Sequence, residues 1–529
     1  MKFRRSPREI LDRSLQELRN LALFLRPPRL RAGNITSMAM PAAEIPAHRF
    51  PLVDFDAQTG ADIAWRRDNE NGIETGLSYF RRIPYLDAKR AGDHKVIWEL
   101  NRHQHLAVLA QDEANLDEIV RQLKSWMDAN PFHRGINWTS ALEVAFRALS
   151  WMWIYDRLGA AFDERFRHRF LEELYRHGRH LENNLSFYFS PNTHLLGEGV
   201  VLHALGVIFP QFPHARRWRE TGRRVVHEQM EKQVRADGAH FEQSTYYHVY
   251  ALDMFQFHAT LETPEQAYRA KLWLMAEFLH AVMGPPRRLP LLGDDDGGRF
   301  ISVGRPEIDA PFASRLFADS GIAVMTAGDL HIVMDAGPFG PWGSGHSHSD
   351  TLSLIVRKGN EDILIDPGTY TYVGDTGERD WFRGSAAHNT IRIDGRDQAI
   401  PAGPFRWTDQ PKVEILDWNS DLREDRLVAQ CCYAGFTHKR TTHFLKPDRL
   451  IIDDEIHGPP GEHTVEQFWH LGSEAAQSRF KLDPGGNVSV ISSWASPAYG
   501  EKHAAPALLL CLKSSLPLRL HTEIECGSL

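Results

Sequence analysis

From about residue 96 to about residue 285, apolar side chains recur every three to four positions, the period of helices with a buried face. The segments that carry it are Val96–Leu109, Leu116–Met127, Ala141–Leu158, Arg165–Leu181, Leu195–Val207, Ala215–Val234 and Tyr247–Leu261. Short polar connections between them predict helix following helix. Ile10–Leu25 has the same period interleaved with arginines and reads as a surface helix, with membrane contact as the second reading. Near Gly284-Pro285-Pro286 the pattern changes, and beyond Asp294-Asp295-Asp296-Gly297-Gly298 apolar and polar residues alternate, as in strands with one buried face. The clearest strands are Gly321–Thr326, His331–Asp335, Thr351–Val356, Asp362–Ile365, Thr390–Ile393, Leu450–Asp454, Val488–Ser492 and Ala507–Leu512. This divides the chain into an N-terminal extension that begins the helical domain (1–90), a helical domain (91–300) and an antiparallel β domain (301–529). A chain of 529 residues also exceeds what one ordinary core holds.

Composition narrows the partners. Hydrophobic residues at 42% and charged residues at 25% are ordinary for a globular protein. A net charge of -8 speaks against nucleic acid, while 61 Lys and Arg leave room for a local basic cleft and an anionic ligand. Cys431, Cys432, Cys511 and Cys526 fit neither a disulfide framework nor a CxxC site, so buried thiols are expected. No run reaches the roughly 18 apolar residues needed to span a bilayer. The start, Met1-Lys2-Phe3-Arg4-Arg5, lacks the apolar core and cleavage site of a secretory signal. The expectation is a cytoplasmic protein, or a periplasmic one whose signal has been removed. Oligomeric state leaves no signature.

The chemistry concentrates in three places. Gly345-His346-Ser347-His348-Ser349-Asp350 is followed by Leu364-Ile365-Asp366-Pro367-Gly368 and Ala387-His388-Asn389-Thr390. Strands between these points would bring His348, Asp366 and His388 together, and two imidazoles with a carboxylate suit zinc. With 27 His in the chain, an HxH pair on an exposed strand is the bland alternative. Asp294–Asp296 lacks the twelve-residue pattern of a calcium loop and reads as a solvated turn. In the helical half, Asn192-Thr193-His194 opens a predicted helix, where Asn192 suits an N-cap. His194 and Glu198, four apart, share a face on which the carboxylate can orient the ring. A second polar run, Asp237 to His248, precedes another helix and holds more hydrogen-bonding side chains than a capped turn needs, Ser244 or Thr245 being enough. The dense aromatics, among them Trp138, Trp151, Trp153, Tyr155, Tyr246, Tyr247 and Tyr250, read mostly as core.

Taken in order, these motifs resemble the heparinase II/III superfamily of polysaccharide lyases over roughly residues 95 to 400, with further matches at Val96–Arg102 and Asn137–Glu143. The resemblance implies an incomplete (α/α) toroid followed by an antiparallel β-sandwich. It also implies cleavage of an acidic, uronic-acid polysaccharide by β-elimination. By the family pattern, Asn192 and His346 neutralise the uronate carboxylate, and Tyr247 acts as base or acid at the C5 hydrogen and leaving oxygen. Tyr246 is its rival, and His194 supplies a complementary proton transfer. His194 stands two residues after Asn192, whereas several family members carry Asn and His adjacent. His348, Asp366 and His388 match the family's metal ligands, with a structural zinc expected. Trp138, Glu198 and Arg383 complete the candidates for holding substrate. The alternatives are a zinc-dependent glycan hydrolase and a non-catalytic glycan-binding protein of an exopolysaccharide pathway.

Overall fold

The computed structural model describes residues 5–31, 35–43, 45, 49–56, 59–60, 62–341, 345–483 and 488–527; the N-terminal Met1–Arg4 lies outside them. The chain forms two compact units. One comprises Met1–Lys232, Tyr250–Tyr268 and Gly298–Arg305; the other comprises Gln233–Val249, Arg269–Gly297 and Pro306–Leu529.

The helices of the N-terminal half are α1 (Pro7–Leu25), α2 (Ala88–Ala91), α3 (His94–Asn101), α4 (Gln104–Leu109), α5 (Leu116–Ala129), α6 (Ala141–Leu158), α7 (Glu164–Asn184), α8 (Thr193–Ile208), α9 (Ala215–Gln233), α10 (Thr245–Leu261) and α11 (Gln266–Met283). Helices α6 and α7 start where a polar residue precedes the apolar run, because Ser140 and Asp163 accept from the backbone N–H groups of Glu143 and Phe166. Helix α6 is buried at nearly every position and packs on α7 and α8. Its Arg147 lies over the rings of Trp126 and Trp138 at 4.4 and 5.5 Å. The expected single helix Val96–Leu109 is two helices, because His103 takes φ 57, a left-handed value no helix interior accommodates. That bend lets the Trp151 indole donate to His103 Nδ1 at 2.8 Å. Helix α1 is the expected surface helix, leaving Leu18 64% and Leu25 76% exposed. Among the described residues, no helix is long and apolar enough to cross a membrane.

In the second unit, β1 (Arg315–Phe317), β2 (Ile322–Ala327), β3 (Leu330–Asp335), β4 (Leu354–Lys358) and β5 (Glu361–Leu364) form a five-stranded sheet in chain order. A short helix, α12 (Thr376–Phe382), follows. Then come β6 (Ile391–Ile393), β7 (Ile400–Pro401), β8 (Trp407–Thr408), β9 (Lys412–Ser420), β10 (Glu424–Tyr433), β11 (Phe436–Leu445), β12 (Arg449–His457), β13 (Glu462–His470), β14 (Phe480–Asp483), β15 (Val488–Ala498), β16 (Glu501–Ser515) and β17 (Leu518–Glu525). A six-stranded sheet runs β14-β17-β12-β11-β10-β9, a four-stranded sheet runs β15-β16-β13-β6, and β7 pairs with β8. The strand pairs are antiparallel.

The three larger sheets share one apolar core, to which Ile332, Phe444 and Trp469 each contribute from a different sheet. Within it, Arg440 and Asp454 form a fully buried bidentate pair at 2.7 and 2.9 Å. Arg440 also donates to the carbonyls of Leu352 and Asn389 at 2.6 and 2.7 Å, anchoring the loops that lead into β4 and β6. The strand expected over Thr351–Val356 therefore begins only at Leu354. Leu352 has φ 67 and its N–H serves the Asp335 carbonyl in a turn. All four cysteines are free thiols; Cys431 and Cys526 are buried, Cys432 and Cys511 half-buried.

Candidate active site

In the second unit the site grows from the start of α10. Ser244 caps the helix, accepting from Tyr247 N at 3.1 Å, and donates its own hydroxyl to the Asp294 carbonyl at 2.6 Å. Thr245 donates from N to the Leu292 carbonyl and from Oγ1 to the Pro290 carbonyl. Ser244 and Thr245 thus pin segment 290–296 to the helix start. Gly293, at φ +66, makes the passage possible. A Cβ there would stand 2.6 Å from the His346 carbonyl oxygen and 2.7 Å from that of Gln243.

Asp294 follows, fully buried where a solvated turn was expected. Its carboxylate accepts from Arg379 at 2.5 and 2.8 Å, and pairs with His346 Nδ1 at 3.0 Å and His348 Nε2 at 2.9 Å. Burial opposes its charge, but the Arg379 guanidinium and these hydrogen bonds prevail and hold the carboxyl well below the usual range. The local run of Asp and Gly reads as a turn because the arginine that makes burial tolerable is supplied from 85 residues away.

The Tyr247 ring stacks on His346, with centroids 3.7 Å apart and planes 19° from parallel. Its hydroxyl donates to Asp296 at 3.3 Å and shares a hydrogen bond with the Tyr372 hydroxyl at 3.2 Å. Burial first, then the nearby Asp296 and Tyr372, push the Tyr247 phenol well above its ordinary pKa, so it stands protonated. Burial pulls His346 the other way, yet its bond to Asp294 and the Glu242 carboxylate, 3.4 Å from Nε2, raise it overall. A proton-bearing phenol in face contact with a basic imidazole can move a proton and steady an anion.

His348, Asp366 and His388 are buried, with one donor atom from each lying within 4.8 Å of the others. They occupy loops beside strands rather than the strands themselves: His348 precedes β4, Asp366 follows β5 and His388 precedes β6. Strand side chains point to alternate faces, whereas loops can aim three ligands at one point. Asp294 holds His348 Nε2, and Asp366 holds His388 Nδ1 at 2.8 Å. His348 Nδ1 and His388 Nε2 are left buried without a hydrogen-bond partner. Two orphaned imidazole nitrogens, on rings whose other nitrogens are held by Asp294 and by Asp366, the third member of the group, fit a zinc-type ion.

The other predicted residues divide. In the first unit Asn192 is the N-cap of α8, its Oδ1 accepting from His194 N at 3.1 Å, and His194 is half-buried. Glu198 does not serve the His194 ring as expected. It is fully buried and accepts from Ser186 N and Oγ at 2.7 and 2.6 Å, and burial pushes its carboxyl up to about 8. Trp138 is a core residue, fully buried with its indole donating to the Asn130 carbonyl, and presents no face for a sugar. In the second unit Arg383 is likewise buried. Its donors go to Asp380 and the carbonyls of Gly403 and Pro404, and its guanidinium lies 4.5 Å over Trp407, so it does not grip a soluble anion. Tyr246 is half-buried, edge-on to Tyr247 at 5.5 Å. Asp294, Asp296, Arg379 and Tyr372 join the site without having stood out in the sequence. Tyr372 stood four residues beyond the Leu364–Gly368 motif; Arg379, on α12, had no local signal.

The chain is of the class with a helical N-terminal half followed by antiparallel sheets. The family model described as "Heparinase II/III N-terminus" matches residues 29–299, and "Heparinase II/III-like, C-terminal" matches residues 309–513; the chain belongs to the heparinase II/III family. A heparin-sulfate lyase of Pedobacter heparinus is 25% identical over 436 residues, covering 72% of this chain and 63% of that protein. Another, of Bacteroides thetaiotaomicron, is 27% identical over 452 residues, covering 73% and 62%. The chain thus spans under two thirds of the length of these relatives. A crystal structure of a heparinase III shares the fold with a TM-score of 0.69 at 16% identity, covering 98% of this chain and 90% of that one.

Proposed function

We propose that this chain is a polysaccharide lyase that cleaves a uronic-acid polysaccharide by β-elimination, leaving a C4–C5 unsaturated uronate. The observation that carries it is the protonated Tyr247 phenol stacked on His346 with Asp296 at its hydroxyl. Elimination removes a weakly acidic C5 hydrogen, passes through enolate-like charge on the carboxylate and expels the oxygen at C4. In this reading His346 steadies the carboxylate. Asp296 receives the phenol proton while the phenol oxygen takes the C5 hydrogen. The phenol then gives that hydrogen to O4 and recovers its own from Asp296. One C–H and one C–O bond break, a C4–C5 double bond forms, and the proton count closes.

Asn192 and His194 are carried as further members on the resemblance alone, as are the incomplete (α/α) toroid and the β-sandwich. His348, Asp366 and His388 would hold one Zn²⁺, which would cross-link the three loops; elimination needs no metal-activated water. The names of the relatives make heparan-type sulfated glycans the first substrates to try. The test is incubation with a panel of uronic-acid polysaccharides, following ultraviolet absorbance and product mass. New conjugated chromophores support the reading. Products heavier by one water without a chromophore would replace it with a hydrolase, and tight oligosaccharide binding with no cleavage would replace it with a binding protein.

A further inference from the structure

A second group of metal-type ligands lies in the first unit and consists of residues not used above. His203 on α8, His258 on α10 and Glu262, the first residue past α10, each place a donor atom within 4.8 Å of the others. The helices are set for this by close backbone approach. A Cβ at Gly222 of α9 would stand 2.4 Å from His203 N and 2.5 Å from the Gly199 carbonyl oxygen. The contact brings the Arg219 carbonyl to His203 Nδ1 at 3.0 Å. His203 therefore donates from Nδ1 and keeps a lone pair on Nε2. That Nε2 is buried without a hydrogen-bond partner, 3.9 Å from Glu262 Oε2.

His258 and Glu262 are four apart and share a helix face. Neither ring nitrogen of His258 has a hydrogen-bond partner, although the residue is 1% exposed, and its ring centroid is 4.8 Å from that of His203. Mere core packing would leave three imidazole nitrogens unsatisfied in one small space, which folded proteins avoid. Arg223 holds the other oxygen of Glu262, Oε1, at 2.6 Å, leaving Oε2 for a ligand. His227 Nε2 is 3.8 Å from Oε1, and Glu262 and His227 are 29% and 27% exposed, so the group opens to solvent on that side.

We propose that His203, His258 and Glu262 bind a divalent transition-metal ion of the Zn²⁺ class, with His227 or water completing the shell. Two nitrogens and one oxygen suit zinc rather than calcium or magnesium. A tetrahedral zinc with bonds of about 2.0–2.1 Å holds its ligand atoms roughly 3.4 Å apart, so His203 Nε2 and Glu262 Oε2, now 3.9 Å apart, close by about 0.5 Å on binding. The ion would tie α8 to the end of α10.

The experiment strips the 529-residue chain with a chelator, dialyses it against Zn²⁺ and counts bound zinc by elemental analysis in wild type, His258→Gln, Glu262→Gln and His348→Ala. His258→Gln should bind one equivalent fewer than wild type. His348→Ala, which lacks the other candidate site, should still bind one and melt higher with Zn²⁺ than without. Co²⁺ in His348→Ala should give the visible absorption of a tetrahedral site. A wild-type zinc count in His258→Gln, or no zinc in His348→Ala, overturns the proposal. Should His258→Gln fail to fold, Glu262→Gln at its partly exposed position carries the same comparison, and an unchanged count there overturns it equally. If instead His348→Ala keeps the wild-type count while His258→Gln loses one, the ligand set of the second unit is wrong and this one stands.

Discussion

Tyr247 keeps its proton because burial, Asp296 and Tyr372 all disfavour a phenolate. If that hydroxyl carries the proton transfer, Tyr247→Phe should lower turnover by about 10²–10⁴-fold with folding and substrate binding nearly intact. Tyr246→Phe, altering a half-buried ring that stands edge-on to Tyr247, should be far milder. Equal losses in both, with lowered melting temperatures, would return the pair to packing. Glu198 makes a pH prediction of opposite sign to that of most carboxylates. Its folded pKa of about 8 lies above the ordinary 4.5, so its contribution is full below about pH 4.5 and is lost as pH rises towards 8, at about 1.4 kcal/mol per pH unit. Glu198→Gln keeps an acceptor for Ser186 and removes the titration. Its melting temperature should gain on wild type steadily from about pH 5 to about pH 8; parallel curves would show that the buried carboxyl is not what titrates. Residue by residue, the sequence conveyed type more readily than environment. Tyr247 and His346 stood inside recognisable motifs, but an Arg or Trp looks the same whether it meets ligand or core, and Arg383 and Trp138 belong to the core.

Among elements, segment 290–296 turns on one glycine. Gly293→Ala combines a left-handed φ with overlap against two carbonyl oxygens, so it should cost more than the roughly 1 kcal/mol of a strained but open glycine position. Gly395 has the same φ of +66 with nothing within 4 Å of an added Cβ, which makes Gly395→Ala the control. Urea unfolding of both variants tests this, and equal costs would mean that the carbonyls yield. The helical segments were legible because amphipathic period and capping residue are both local, as at Ser140 before α6 and Asp163 before α7. The break at His103 and the late start of β4 were not. Both rest on a positive φ in a residue type that does not announce one, stabilised by partners at Trp151 and Asp335.

For the molecule as a whole, metal is the decisive measurement on the second unit. Protein freed of zinc should melt at a lower temperature, since an ion bound only by the folded state adds its binding energy to stability. His348→Ala should hold one equivalent fewer than wild type. An unchanged metal content, or a melting temperature indifferent to chelation, would leave His348 Nδ1 and His388 Nε2 without an explanation of this kind. The proposed ligand set could be suggested from sequence because its three members, His348, Asp366 and His388, fall within a short span. Asp294 could not, for its partners are 52, 54 and 85 residues downstream. That spacing orders events during synthesis. At roughly 5–20 residues per second, Arg379 leaves the ribosome some 4–17 s after Asp294. Until it does, burying the carboxylate carries an uncompensated charge penalty. The start of α10 can form early, but segment 290–296 has no stable place on it until α12 has emerged, so a nascent chain halted between Asp294 and Arg379 should leave that segment open to protease.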